Sequence, residues 1–331
     1  MTKTAIVTGG TGYIGSNFIN FVLEKKFFDK IIILDDCVRG KNETYLLSKW
    51  GLKVTLLKYK IEEFNDFYKL LDLNLRFSPI FHFAGLAYVG ESYSDPETYY
   101  RRNIDSTLKI CEIAKYLETK KLIFSSSCAV YGNQDNIISE ETDLFPVSPY
   151  GWSKLFCENV LKKFSIINNI DIIALRYFNV AGANPKFESG ERHNPETHLI
   201  PLIVEAATES KIFFLFGDNY NTNDGTCERE YVHITDLVEA HYLAYMMGAI
   251  GYRVYNLGTG NPVSNKELIN LVSKKLDTII DIVVKEKRAG DATRLFSSSA
   301  LAKKELGWIP KRSQIDIIIN DYILWYNKYI I

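Results

Sequence analysis

Tyr150 and Lys154 stand in the run SPYGWSK. On a helix they lie one turn apart and share a face. A tyrosine hydroxyl titrates near about 10 when unperturbed. An ammonium within a few ångströms favours the phenolate, so such a pair can take a proton from an alcohol near neutral pH. Upstream, KLIFSSSCAVYG reads as a buried strand that ends in the hydroxyls of Ser125, Ser126 and Ser127. Ligands of an open parallel sheet lie at the carboxyl ends of its strands, so these serines are placed to meet a cofactor or substrate. The Tyr–Lys interval is not specific by itself. Tyr45–Lys49 and Tyr116–Lys120 share it and read as helix-surface pairs. Tyr150 differs in its company: a Ser-Pro turn before it, the serine strand, and a glycine loop near the N-terminus.

That loop is TGGTGYIGSNF, in which Gly10, Gly12 and Gly15 fit G-x-G-x-x-G. The glycines serve a tight turn, close backbone approach to a pyrophosphate, and close packing of helix on strand. The helix N-terminus then offers free N–H groups and the positive end of its dipole to phosphates. Asp35 ends the second strand-like run, 20 residues past Gly15. A carboxylate there accepts hydrogen bonds from a ribose diol and repels a 2′-phosphate, which favours NAD over NADP. Arg39, just beyond, is able to accommodate that phosphate. An oxidised nicotinamide ring would add its positive charge to the pull on the Tyr150 phenol.

Positioning these groups requires a regular scaffold, and the chain supplies the pattern for one. KTAIVTGG, KIIILDD, LKVTLLKY, SPIFHFAG, KKLIFSSS and DIIALRYFN all read as strands. Helical spacing over Tyr13–Lys26, Ile61–Leu73, Thr98–Tyr116 and Tyr150–Ile167 separates them. Alternation of this kind predicts an α/β fold, a Rossmann-type doubly wound parallel sheet. After Asn179 the pattern changes to long polar loops, a helix over Leu199–Glu209 and a strand in FFLFGD. The expectation is a nucleotide-binding domain over residues 1–179 and a smaller α+β substrate domain over 180–331, with the chain able to cross back between them.

Composition bounds the partners. Hydrophobic residues make up 47 % of the 331 and the net charge is −1, so no basic field exists for nucleic acid or an anionic membrane. No apolar run is long enough to span a bilayer, and the N-terminus does not read as a signal peptide. The five cysteines are widely spaced with no C-x-x-C pair, which predicts free thiols, a reducing compartment and a cytoplasmic protein. No metal is expected: the five histidines show neither H-x-x-x-H nor H-x-x-E-H spacing, and His82 reads as a satisfied core histidine. DNYNTNDGT lacks calcium-loop spacing.

Taken in order, HFAG with VGES, YYRRNIDST, FSSSCAVYG, SPYGWSK, LRYFNVAG, PETHLIPL, DGTCEREYVHITDL, YNLGTG and KRAGD resemble an extended short-chain dehydrogenase/reductase, specifically the UDP-glucose (UDP-galactose) 4-epimerase family. The resemblance runs close to the whole chain. It implies Tyr150 as acid/base, Lys154 as the residue that holds the nicotinamide ribose and tunes the tyrosine, and Ser127 as a hydrogen-bond partner of the sugar hydroxyl. It implies NAD contacts at Gly9, Gly12, Tyr13, Ile14, Gly15, Asp35, Phe83, Ala84, Gly85, Asn103, Tyr150, Lys154 and Tyr177. It implies UDP-sugar contacts at Ser127, Tyr150, Asn179, His198, Leu199, Arg229, Arg288, Asp291 and Leu295, and a homodimer built through two helices. The two arginines suit a diphosphate; Asn103 has a structural cap as its alternative reading. Ala87 stands where many members have lysine, Glu230 where aspartate is usual, Trp152 for a basic or small residue, and Lys60 where an acidic adenine contact often lies. Leu295 falls near the position that gates sugar size, so hexoses, N-acetylhexosamines and, through LAYVGES, pentoses stay open. A 4,6-dehydratase is the competing reaction; it needs Asp-Glu where this chain has Cys128 and Ala129. A reductase would release its cofactor in every cycle. A non-catalytic NAD-binding scaffold would have no need of the Ser127–Tyr150–Lys154 set.

Overall fold

The computed structural model describes residues 3–40, 42–134, 136–186, 189–191, 193, 195–249, 251–288 and 292–330. Six strands run in chain order: β1 (Thr4–Thr8), β2 (Lys30–Asp35), β3 (Val54–Lys58), β4 (Ile80–His82), β5 (Lys121–Ser125) and β6 (Asp171–Tyr177). Each coincides with a run read as strand from sequence. A seventh, Tyr252–Leu257, returns from the far end of the chain to pair with β6. The sheet order is Tyr252–Leu257, β6, β5, β4, β1, β2, β3, and every pairing is parallel. This is the doubly wound arrangement, with its switch point where β1 lies beside β4.

Both faces of a parallel sheet must be covered, so its strands are apolar throughout and alternate between two cores. Ala5, Val7, Ile31, Ile33, Ile173 and Leu175 face one side, where α1 (Tyr13–Glu24) packs with the helix Ile234–Met246 through Phe18, Val22, Leu237 and Val238. Ile6, Ile32, Leu34, Ile172 and Ala174 face the other, covered by Ile110 and Ala114 of the helix Ser106–Tyr116 and Leu161 of the helix Pro149–Asn168. The helical pattern read over Thr98–Tyr116 is broken into Pro96–Tyr100, a wider turn at Arg101–Asp105, and Ser106–Tyr116. A third core joins the helices Leu199–Glu209, Asn265–Leu276 and Ile315–Tyr329 through Ile203, Leu268 and Ile319. Short strands link this region to the sheet half: Tyr231–His233 pairs with Asn179–Ala181, and Glu228–Arg229 lies between Val263–Ser264 and Arg294–Leu295.

Candidate active site

The carboxyl ends of the parallel strands open on a cavity of about 1190 Å³. Pockets for one drug-sized ligand run from roughly 300 to 1,000 Å³, so this volume has room for two. Gly9, Gly12, Tyr13, Ile14, Gly15 and Asp35 line one end; Phe83, Ala84 and Gly85 follow; Ser127, Tyr150, Tyr177 and Asn179 stand at the middle; His198, Leu199, Arg229, Arg288 and Leu295 close the other end. Asn103 and Lys154 do not line it. Asp291 lies outside the described residues.

At the glycine end, α1 starts without a side-chain cap or an acidic residue in its first turn. Its leading N–H groups therefore remain for an anion. Gly15 permits the close packing this needs, because a Cβ there would fall 2.2 Å from the Gly9 carbonyl oxygen. Gly10 turns inward against Ile33. Asp35 accepts the Thr11 N–H at 2.9 Å and the Cys37 N–H at 2.8 Å, and burial raises its carboxyl against these bonds. Arg39 is engaged elsewhere: it donates to Glu91 at 2.5 Å. Arg102 pairs with Asp36 and with Glu62 at 3.1 Å. The cation that sequence offers to a 2′-phosphate is thus already neutralised. Neither pair was readable from sequence, since Arg39 and Glu91 are 52 residues apart and Arg102 and Asp36 are 66 apart. Lys60 pairs with Glu63 at 2.9 Å on the surface, outside the lining.

The helix Pro149–Asn168 carries the Tyr–Lys pair. Ser148 caps it, accepting the Gly151 N–H at 3.1 Å, and Pro149 supplies a first position with no N–H to satisfy. Tyr150, Ser153, Lys154, Cys157 and Leu161 all face inward. Gly151 lets the helix approach the serine strand, because a Cβ would meet the Ala129 carbonyl oxygen at 2.5 Å. Tyr150 and Ser127 thereby come together at the cavity. Burial pushes the Tyr150 phenol up to about 12, and hydrogen bonding by Ser127 partly opposes this. Burial pushes Lys154 down to about 8. The expected ammonium-on-phenol contact is replaced by a different one: Lys154 Nζ donates to the Ser125 carbonyl at 2.8 Å and lies 6.0 Å from the Tyr150 ring centre. The carbonyl at the end of β5 is the nearer acceptor on that face.

Lys154 has three N–H donors, and among the described residues one is engaged. A Cβ on Gly85 would lie 3.4 Å from Nζ and 3.0 Å from Asn103 Oδ1, so both residues sit directly behind the cavity floor. Asn103 uses both its amide hydrogens, donating to the Leu86 carbonyl at 3.1 Å and to Ser153 at 2.8 Å, and its Oδ1 accepts the Leu86 N–H at 2.7 Å. Tyr13 donates to the Gly182 carbonyl at 2.6 Å, and Tyr177 shares a hydrogen bond with Ser125. An uncapped helix start and Asp35 along one cavity, with a buried cation behind its floor at Gly85, fit a dinucleotide.

At the far end, Arg229 and Leu295 are register partners on adjacent short strands, and the Arg288 guanidinium lies 4.0 Å over the Phe216 ring. Asn179 donates to the Glu230 carbonyl at 3.0 Å. The Glu230 carboxylate points away, accepting the Thr259 and Gly260 N–H groups and the Ser297 hydroxyl, each at 2.7 Å. His198 lies between two carboxylates, with Nδ1 at 3.1 Å from Glu191 and 2.9 Å from Glu196. Burial works against its charge, but these partners hold it up at about 9. Glu191, His193 and Glu196 were not singled out in the sequence.

Residues 5–258 match the NAD dependent epimerase/dehydratase family. The chain belongs to that family. It is 36 % identical over 312 residues to a UDP-glucose 4-epimerase of Rhizobium meliloti (strain 1021), covering 92 % of each chain. It superposes on the crystal structure of UDP-glucose 4-epimerase from Brucella ovis in complex with NAD with a TM-score of 0.88 at 34 % identity, covering 97 % of this chain and 98 % of that one. The enzyme from Bifidobacterium longum in complex with NAD+ and UDP gives 0.90 at 32 % identity, covering 98 % of both. The family's dependence on NAD agrees with Asp35 and with the neutralised Arg39.

Proposed function

We propose that this protein catalyses NAD-dependent 4-epimerisation of a UDP-sugar, with UDP-glucose and UDP-galactose as the pair. The observation that carries the reading is Tyr150 and Ser127 meeting at the middle of a cavity whose ends suit a dinucleotide and a nucleotide diphosphate. Bound NAD supplies the reversible two-electron acceptor that turns the carbon-4 alcohol into a ketone and back. Tyr150 takes the hydroxyl proton and later returns it, while Ser127 hydrogen-bonds the same oxygen. Lys154 holds the nicotinamide ribose with its two unengaged donors, and its charge favours the phenolate that burial opposes. Asn179, Leu199, Arg229 and Arg288 grip the nucleotide, with Asp291 and His198 assigned to the same end by their place in the sequence motif. Leu295 borders the sugar. A firm hold on the remote nucleotide positions carbon 4 and leaves the keto-sugar free to present its other face.

Cys128 and Ala129 argue against dehydration: burial pushes the Cys128 thiol up to about 12, so it is neither a useful acid nor a base. Residues 1–179, completed by the helix Ile234–Met246 and the returning strand Tyr252–Leu257, form the cofactor half, and the remainder of 180–331 supplies the far wall of the substrate end. Leu108, Tyr116, Trp152, Phe156, Ile166 and Ile167 are exposed on the helices Ser106–Tyr116 and Pro149–Asn168, and an apolar patch of this kind suits a homodimer. None of the five cysteines forms a disulfide and no helix among the described residues is long and apolar enough to cross a membrane, in keeping with a cytoplasmic enzyme. The test is incubation with UDP-glucose, UDP-N-acetylglucosamine and a UDP-pentose without added cofactor, with the product sugars resolved. The expected product is UDP-galactose from UDP-glucose. No 4-epimer from any of the three by NAD-loaded protein overturns the reading.

A further inference from the structure

Beside the substrate end of the cavity, three side chains converge that the epimerisation chemistry does not use together. The Glu191 carboxylate oxygen lies 3.4 Å from His193 Nε2 and 3.1 Å from His198 Nδ1. All three ligand-type atoms fall within 4.8 Å of one another. Glu191 is buried at 4 % exposure, and its two partners are partly exposed. In a tetrahedral zinc site with metal–ligand distances of about 2.0–2.2 Å, neighbouring ligand atoms stand roughly 3.3 Å apart. The two Glu191 distances match that edge before any metal enters.

The cluster is held from behind. Glu196 accepts the backbone N–H groups of His193 at 3.2 Å, Thr197 at 2.8 Å and His198 at 2.9 Å. It also contacts His198 Nδ1 at 2.9 Å. These bonds curl the segment so that both rings turn toward Glu191. Tyr88 packs edge-on against both imidazoles, with ring centres at 5.3 and 5.8 Å. The Glu196 contact with His198 falls on the nitrogen that also faces Glu191, so an ion bound there would take its place, and Glu196 orients the ligands through their backbone. Two imidazoles and one carboxylate, with a position left over, are the donor set of an exchangeable zinc-type site.

We propose that Glu191, His193 and His198 bind a divalent transition ion of the zinc class, with Glu196 as the positioning residue and the fourth position open to the cavity. The three ligands all line that cavity, and the segment leads into the helix Leu199–Glu209, so an ion there would pin the wall against which the substrate rests. The alternative use of the same residues is metal-free: a protonated His198 bridging Glu191 and Glu196.

Metal binding is read on the protein itself and does not depend on the epimerase reading. Chelator-treated full-length protein is titrated with Co2+ and followed by visible absorption and by bound metal per chain. The expected result is one Co2+ per chain with the intense absorption of a tetrahedral site, displaced by Zn2+. His193→Ala should weaken Co2+ binding by on the order of tenfold or more, and Zn2+ should raise the melting temperature of the wild type but not of the variant. A pale octahedral spectrum, no binding, or binding untouched by His193→Ala in a variant with wild-type circular dichroism each overturns the proposal. Were that variant unfolded, the wild-type Co2+ spectrum and its displacement by Zn2+ decide the matter alone.

Discussion

Tyr150 is held in its neutral form by burial, so its use as a base rests on charge brought near it. In the proposed reaction Lys154 would supply that charge, its Nζ lying 6.0 Å from the ring centre. Tyr150→Phe removes the proton acceptor and should lower kcat by at least about a hundredfold, the usual scale for a lost acid/base. Lys154→Met keeps the phenol but removes the cation, so the phenol pKa rises. The acidic limb of the kcat–pH profile should then move to higher pH in that variant. An unchanged limb would remove Lys154 from the tuning role. The motif residues were legible because strand, turn and helix lie in one continuous stretch. The partner of the lysine was not: the Ser125 carbonyl competes for the ammonium only once β5 and the helix Pro149–Asn168 are packed. Glu191, His193 and His198 lie close in the chain, but their convergence goes with a backbone turn whose N–H groups Glu196 accepts, and no motif marks it.

At the scale of elements, the approach of the helix Pro149–Asn168 to the strand end decides whether Tyr150 and Ser127 share a substrate. Gly151 sets that distance. In Gly151→Ala the new Cβ meets the Ala129 carbonyl oxygen at 2.5 Å. Backbone cannot yield there as a flexible side chain would, so the helix must move outward. Misplacement by about 1 Å costs roughly a hundredfold in rate. The expected outcome is a kcat loss of at least about tenfold, read by steady-state kinetics. The buried Arg176–Glu158 pair steadies the same region: Arg176 donates to Glu158 at 2.5 and 2.9 Å, and Ser126 donates to it at 2.5 Å. These residues carry no motif that marks them as a unit.

For the molecule as a whole, two neutral histidines inside the sheet half set the acid limit. His82 accepts from Thr8 at 2.7 Å and donates to Thr107 at 3.2 Å, a tautomer assigned because the Thr107 hydroxyl itself donates to the Asn103 carbonyl. Burial, aided by the Lys154 charge, pushes it down to about 3, and burial pushes His241 down to about 4. Their unfolded value is 6.5. Below that pH the unfolded chain takes up protons that the folded chain refuses, so stability falls as pH falls, by about 1.4 kcal/mol per pH unit for each histidine. In the window from about pH 6.5 to 5, His198, held up at about 9, contributes with the opposite sign near pH 6.5, and this fades toward pH 5 as the unfolded chain also protonates it, leaving the fall in stability there to the two buried histidines. Urea unfolding across that window should show it. His241→Phe, in a pocket already lined by Phe83 and Tyr177, should remove about half.

The sequence by itself determined the six forward strands, the loop that opens α1, the acid that ends β2 and the helix-borne Tyr150–Lys154 pair. Each is written in a period of two or 3.6 residues or in a short motif, which neighbours in the chain can enforce. Tertiary structure decided the return of Tyr252–Leu257 to the sheet edge, the neutralisation of Arg39 by Glu91 and the contact of Lys154 with β5. Those outcomes join residues far apart in the chain or depend on which acceptor packing brings nearest, and no local spacing records either.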